Sequence, residues 1–155
     1  LLGRGPLRDR VAGEVQRRGW ADRVLLPGFR DDLARILPAI DVLVHPALME
    51  GLGVVLLQAA ACGIPLVAAR AGGIPEVCIH GETGWLVDPD HPPALAAALN
   101  AALDDPAEAR RRGLAGRRLV ERSFSIPAMV EGNRSVYLAV LGRRSRRRKT
   151  PAPDG

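Results

Sequence analysis

The stretch MEGLGVVLLQAAACGIPLV, residues 49–67, decides the fold. A carboxylate, Glu50, leads a Gly-x-Gly turn, and a run with almost no polar atom follows. In that run only Gln58 can make strong side-chain hydrogen bonds. The run predicts a helix beginning near Gly53 or Val54, then a strand over PLVAA (65–69). Working outward, RVLLPG (23–28), DVLVHP (41–46) and GWLV (84–87) are further short apolar segments, the first two closed by proline. Such continuous apolar runs mark strands covered on both faces. Helical patterns separate them: residues 8–18, RDDLARILPAI with Asp31 or Asp32 as N-cap, GGIPEV, and helices over 92–103, 107–122 and 126–141. Strands alternating with helices imply an α/β fold with a doubly wound parallel sheet. The opening LLGRGPLR reads as the exit of a strand whose body is absent.

Composition bounds the class. With 155 residues and 47% apolar residues, the chain fits one compact domain over 1–141. Aromatic residues make up 3%, so Leu, Val and Ala must supply the core. No apolar stretch reaches the ~18 residues of a membrane helix, and no signal peptide is visible. Cys62 and Cys78 lack metal-ligand spacing and read as reduced core thiols of a cytoplasmic protein. The net charge of +5 is a property of the tail. From Gly142 onward there are six basic residues and one acid, which leaves sixteen of each sign in the rest of the chain. Residues 142–155 are expected to be a basic disordered tail.

In such sheets ligands sit beyond the carboxyl ends of the strands. PGFRDD, HPALMEGLG and AARAGGIPEV leave strand ends there, each with glycine. In the middle turn, the first N–H groups of the following helix have no intrahelical partner, and Gly51 and Gly53 let an anion approach them. Glu50 repels phosphate, so it faces sugar hydroxyls, or else it merely caps the helix. The helix carrying Gln58 reads as buried nearly all round, and a buried amide needs a partner. That partner is a neighbouring carbonyl or a ligand hydroxyl. His45 at a strand end reads as a structural donor. Arg110–Arg112 and Arg117–Arg118 read as a solvated helix face, and GGIPE as an ordinary turn.

From Leu1 to about Leu141 the chain resembles the C-terminal half of a retaining GT-B glycosyltransferase of family 4, the group 1 glycosyl transferases. GRGPLR, RVLLPGFRDDL, DVLVHPALMEGLGVVLLQAAACGIPLVA, GGIPEV and GETGWLV follow in that family's order. The resemblance implies a Rossmann-like donor domain, incomplete at its N-terminus, and transfer from a nucleotide diphosphate sugar. It implies that Glu50, the catalytic candidate, meets the donor sugar's hydroxyls. Gly51 belongs to the same donor-binding turn. The backbone of Leu52, Gly53 and Val54 holds the diphosphate, and position 58 holds the ribose. The family has Glu at that last position where this chain has Gln58. Phe29, Arg30 and Asp31 border the base. No metal and no cofactor are implied. The acceptor belongs to an N-terminal domain outside the chain, so the chain alone is expected to be inactive. The rival reading is a non-catalytic nucleotide-binding or interaction module. Its Arg-rich tail would contact anionic membrane, at the inner face, or nucleic acid.

Overall fold

The computed structural model describes residues 1–147, with side chains to residue 142. The residues expected to form one domain fall into two compact units, Leu1–Ile36 and the chain from Leu37 onward.

In the first unit α1, Arg8–Arg17, buries Val15 and exposes its charged face. Glu14 pairs with Arg17 and Arg18, two and one residues short of Gly19, whose φ of 66° turns the chain out of the helix. The VLLP segment is corrected here: it forms no strand. Only an isolated parallel bridge joins Leu2 to Gly28, with the Gly3 N–H donating to the Gly28 carbonyl at 2.8 Å. Pro27 has no N–H to donate, and Gly3 and Gly28 stand at φ 118° and 79°, off the extended path. Leu25 is left exposed. A short helix α2, Leu33–Ile36, closes the unit.

The second unit begins with a 3-10 turn at Leu37–Ala39 and holds a three-stranded parallel sheet in the order β1-β2-β3. Its strands are β1, Leu43–His45, β2, Leu66–Ala69, and β3, Gly84–Val87. Leu43, Val44 and His45 pair with Leu66, Val67 and Ala68, and β2 pairs onward with Gly84 to Val87. The central strand is buried at every residue. Alternation puts Val67 and Trp85 on one face, where they pack with Ala98 and Ala102 of α5, Pro92–Asp104. Leu66 and Gly84 belong to the other face, where a Cβ on Gly84 would lie 2.7 Å from the Cys78 sulfur. Two helices connect the strands, α3, Val54–Ala61, and α4, Ile74–Val77. Both faces are thus covered, as the apolar runs require.

Two further helices complete the unit, α6, Pro106–Ser123, and α7, Ile126–Arg147. The α6 helix packs so closely that two glycines matter. A Cβ on Gly113 would lie 2.0 Å from the Gly63 carbonyl oxygen, whereas one on Gly116 would meet Ala60 and Thr83 at 3.5–3.7 Å. Gly63, at φ 76°, ends α3 with a paired closure: its own N–H bonds Ala60 and the Ile64 N–H bonds Ala59. Arg112 is not solvated as its neighbours suggested. Its guanidinium lies 4.0 Å from the Trp85 ring centroid and donates to the Gly84 carbonyl at 2.9 Å. Cys78 is buried, but Cys62 is exposed rather than in the core. The α7 helix runs past residue 141 to Arg147, so the tail's expected start at Gly142 is helical. The expected disorder of residues 148–155 falls outside the described residues. Among the described residues no helix is long and apolar enough to cross a membrane.

Candidate functional site

Pro46 follows β1 and, lacking an N–H, cannot extend its ladder. The chain then turns through Glu50 to Gly53, which caps α3 at φ 76°; a Cβ there would lie 2.7 Å from a Leu56 methyl. The next crossover turn, between β2 and α4, braces this one. The Gly73 N–H donates to the Gly51 carbonyl at 2.6 Å. A Cβ on Gly72 would stand 1.7 Å from the Glu50 carbonyl oxygen. The Gly-Gly pair that read as an ordinary turn is therefore what lets two turns at the same sheet edge meet through their backbones. No spacing rule joins residues so far apart, but two adjacent glycines shortly after a strand were the available signal.

Glu50 does not cap α3, whose first turn has no side-chain cap. Its carboxylate is held at both oxygens instead: Oε2 lies 3.0 Å from His45 Nε2, and Oε1 accepts from the Gly51 N–H at 3.0 Å. The bond to His45, and after it the bond to Gly51, keep the Glu50 pKa below the ordinary carboxylate range. Glu50 is therefore an acceptor only, and a part-exposed one. A carboxylate offers about four lone-pair sites, of which these bonds use two. Beside it, the N–H groups of Gly53, Val54 and Val55 have no partner among the described residues. The Leu56 N–H turns back to the Gly53 carbonyl at 2.8 Å. A fixed acceptor thus sits next to free amides at the positive end of a helix dipole. Close by, a cavity of about 250 Å³ opens at the strand ends, lined by Pro46 and Leu48 of this turn, Ala69 of β2 and Val87 of β3.

Gln58 requires a correction. It is exposed on α3, not buried. Leu56, Ala59 and Ala60 face the sheet and α6, while Val54, Gln58 and Ala61 share the open side. The bland reading of a buried amide bonded to a neighbouring carbonyl falls with this. The side chain is free to meet a ligand one turn along from the free amides. Leu52 is half-buried and Gly51 exposed, with open space around the Gly51 Cα.

Phe29, Arg30 and Asp31 belong to the first unit and are described within it. Phe29 is 61% exposed, with the Arg4 guanidinium 5.4 Å from its ring centroid. Arg30 forms a two-pronged ion pair with Asp32 at 2.7 and 2.5 Å, so the Asp32 side chain serves Arg30 while its carbonyl, at the N-cap position, opens α2. Asp31 stays outside that pair. Among the described residues no group of three or more His, Cys, Asp or Glu could hold a metal ion.

Parallel strands with helices on both faces, and a glycine turn opening a helix at their carboxyl edge, define a Rossmann-like unit of the GT-B type. Residues 1–105 match the family described as glycosyl transferases group 1, and the chain belongs to that family. It is 34% identical over 141 residues to the N-acetyl-alpha-D-glucosaminyl L-malate synthase of Bacillus anthracis, covering 91% of this chain and 37% of that protein. It is 43% identical over 114 residues to the alpha-maltose-1-phosphate synthase of Mycobacterium tuberculosis, covering 70% and 30%. Among solved structures, the Anabaena protein HepE in complex with UDP superposes with a TM-score of 0.81 at 26% identity, covering 90% of this chain and 40% of HepE. Sucrose-phosphate synthase of Thermosynechococcus elongatus does so at 0.80 and 36%, covering 92% and 39%. The chain therefore spans between 30% and 40% of the length of these relatives.

Proposed function

We propose that the chain is the donor-binding part of a retaining glycosyltransferase that uses a nucleotide diphosphate sugar. The reading rests above all on the clamped Glu50 carboxylate beside the free amides of Gly53, Val54 and Val55. A carboxylate and an anion cradle side by side fit a ligand that is part neutral polyol and part diphosphate. Membership of the family and the UDP bound to HepE support it. In this reading Glu50 accepts from the hydroxyls of the transferred sugar. Gly51, Leu52, Gly53 and Val54 receive the diphosphate and Gln58 the ribose. The helix N-terminus offsets the diphosphate charge, so no metal ion and no cofactor are needed. The acceptor is bound by residues outside this chain, and the enzyme works in the cytoplasm. The basic tail suits contact with an anionic membrane surface. The neutral Gln58 favours a second reading, a nucleotide-binding module without catalysis.

Calorimetry on the 155-residue chain tests the proposal, with UDP, GDP and ADP and the matching glucose or mannose conjugates as probes. One nucleoside diphosphate should bind without added metal and in excess chelator. Glu50→Ala should leave that affinity unchanged and remove the gain from the attached sugar. Gln58→Glu should tighten nucleotide binding by about 1 kcal/mol, roughly fivefold, because a charged acceptor replaces a neutral one. No binding by any probe, or a Glu50→Ala effect confined to the bare nucleotide, overturns the reading.

A further inference from the structure

Glu50 is held by two donors of different origin. The Gly51 N–H belongs to the same loop and moves with it, whereas His45 is the last residue of β1, paired to Ala68 in the sheet. We propose that His45 is a positioning residue for the donor sugar: its Nε2–H, 3.0 Å from Glu50 Oε2, fixes the carboxylate that meets the sugar hydroxyls. The inference rests on the reading of Glu50 given above.

The geometry supports it at three points. First, the anchor stands on a strand and the anchored group on a turn, so the sheet sets the position of a loop side chain. Second, the two side chains are only 22% and 31% exposed, which shields their bond from competing water. Third, each oxygen of Glu50 is engaged once, which stops the carboxylate from rotating and leaves one acceptor site on each for a hydroxyl. A guanidinium in place of His45 would always carry charge and offer several donors, competing with the sugar. An imidazole can orient the carboxylate through a single N–H. The depressed pKa of Glu50, owed first to His45, agrees with this arrangement.

The test compares His45→Phe, which removes the donor, with His45→Gln, whose amide N–H has about the same reach as the imidazole Nε2. The readout is the ratio of affinities for the nucleotide sugar and the bare nucleoside diphosphate in the 155-residue chain. His45→Phe should lower that ratio about tenfold, with nucleoside diphosphate affinity unchanged, and His45→Gln should keep it within about threefold of the wild type. A second measurement needs no ligand. The Glu50 side-chain carboxyl, followed by carbon-13 NMR, should titrate at higher pH in His45→Phe than in the wild type. If Glu50→Ala lowers the affinity ratio and His45→Phe does not, His45 only packs and the inference is wrong. An unchanged Glu50 titration in His45→Phe overturns it as well. If Glu50→Ala itself leaves the ratio unchanged, the reading of Glu50 fails instead.

Discussion

Replacing Gly113 by alanine sets two effects against each other in α6. Alanine favours an interior helix position by about 1 kcal/mol over glycine. The added Cβ, however, would stand 2.0 Å from the Gly63 carbonyl oxygen and 3.1 Å from the Pro65 nitrogen, both backbone atoms. Ordinary contact is about 1.4 Å longer than the first distance, so α6 must lift or the turn ending α3 must shift. Overpacking of this kind costs roughly 1–3 kcal/mol, and the depth of the overlap points to the upper end. The net expectation is a loss of about 2 kcal/mol. Gly116→Ala is the control in the same helix, because its Cβ would meet neighbours only at 3.5–3.7 Å. There the helix preference stands unopposed, giving a gain of about 1 kcal/mol. The entropy that alanine removes from the unfolded chain is common to both and cancels in the comparison. Urea denaturation followed by circular dichroism should separate the two variants by about 3 kcal/mol, and their melting temperatures by roughly 10 °C. Equal stabilities for the two variants would refute the packing argument.

Three further outcomes are expected. Glu108 is held by Arg111 and Arg112, which bring its pKa down to about 2 from 4.5, so its contribution to stability is complete above pH 4.5 and is lost as pH falls toward 2; the melting-temperature gap between wild type and Glu108→Gln should close over that interval. Burial pushes the Cys78 thiol up to about 12, so at pH 8 a disulfide reagent should modify Cys62 in the folded chain and reach Cys78 only after denaturant is added. Gly51→Ala adds a Cβ into open space, so it should melt like the wild type while weakening nucleoside diphosphate binding at least fivefold; unchanged affinity would remove Gly51 from the anion cradle.

The alternation of strands and helices was legible because each strand of the sheet is a short apolar run flanked by turn residues, as in DVLVHP and GWLV. RVLLPG has the same run and failed as a strand, because Pro27 and the left-handed Gly28 deny it a ladder. Val24 and Leu26 are only half-buried there and Leu25 is exposed, so the apolar run carries neither pairing nor full burial. The start of the helix after Gly53 was legible to within a residue, yet its open side was not. Val54, Ala61 and Cys62 are as apolar as the residues beneath them, so only the position of α6 tells which side is covered. Glu50 announced itself as a lone carboxylate in a glycine turn. Its partner His45 lies only five residues away, but across a turn whose path depends on Gly72 and Gly73 packing beneath it. Arg112 on Trp85 joins α6 to β3 across 27 positions, and no local pattern encodes such a pairing.

The place of β1 at one end of the sheet makes its backbone readable by hydrogen exchange. The Leu43 N–H donates to the Pro65 carbonyl at 3.1 Å, toward β2. Successive amides of a strand point to opposite sides, so His45 shares that direction while the Val44 N–H points away from the sheet. Val44 should therefore exchange its amide hydrogen much faster than Leu43 and His45, although all three lie in one strand. Any strand that docks along this edge, from another segment or from a second copy of the chain, should slow exchange at Val44 and leave its two neighbours as they were.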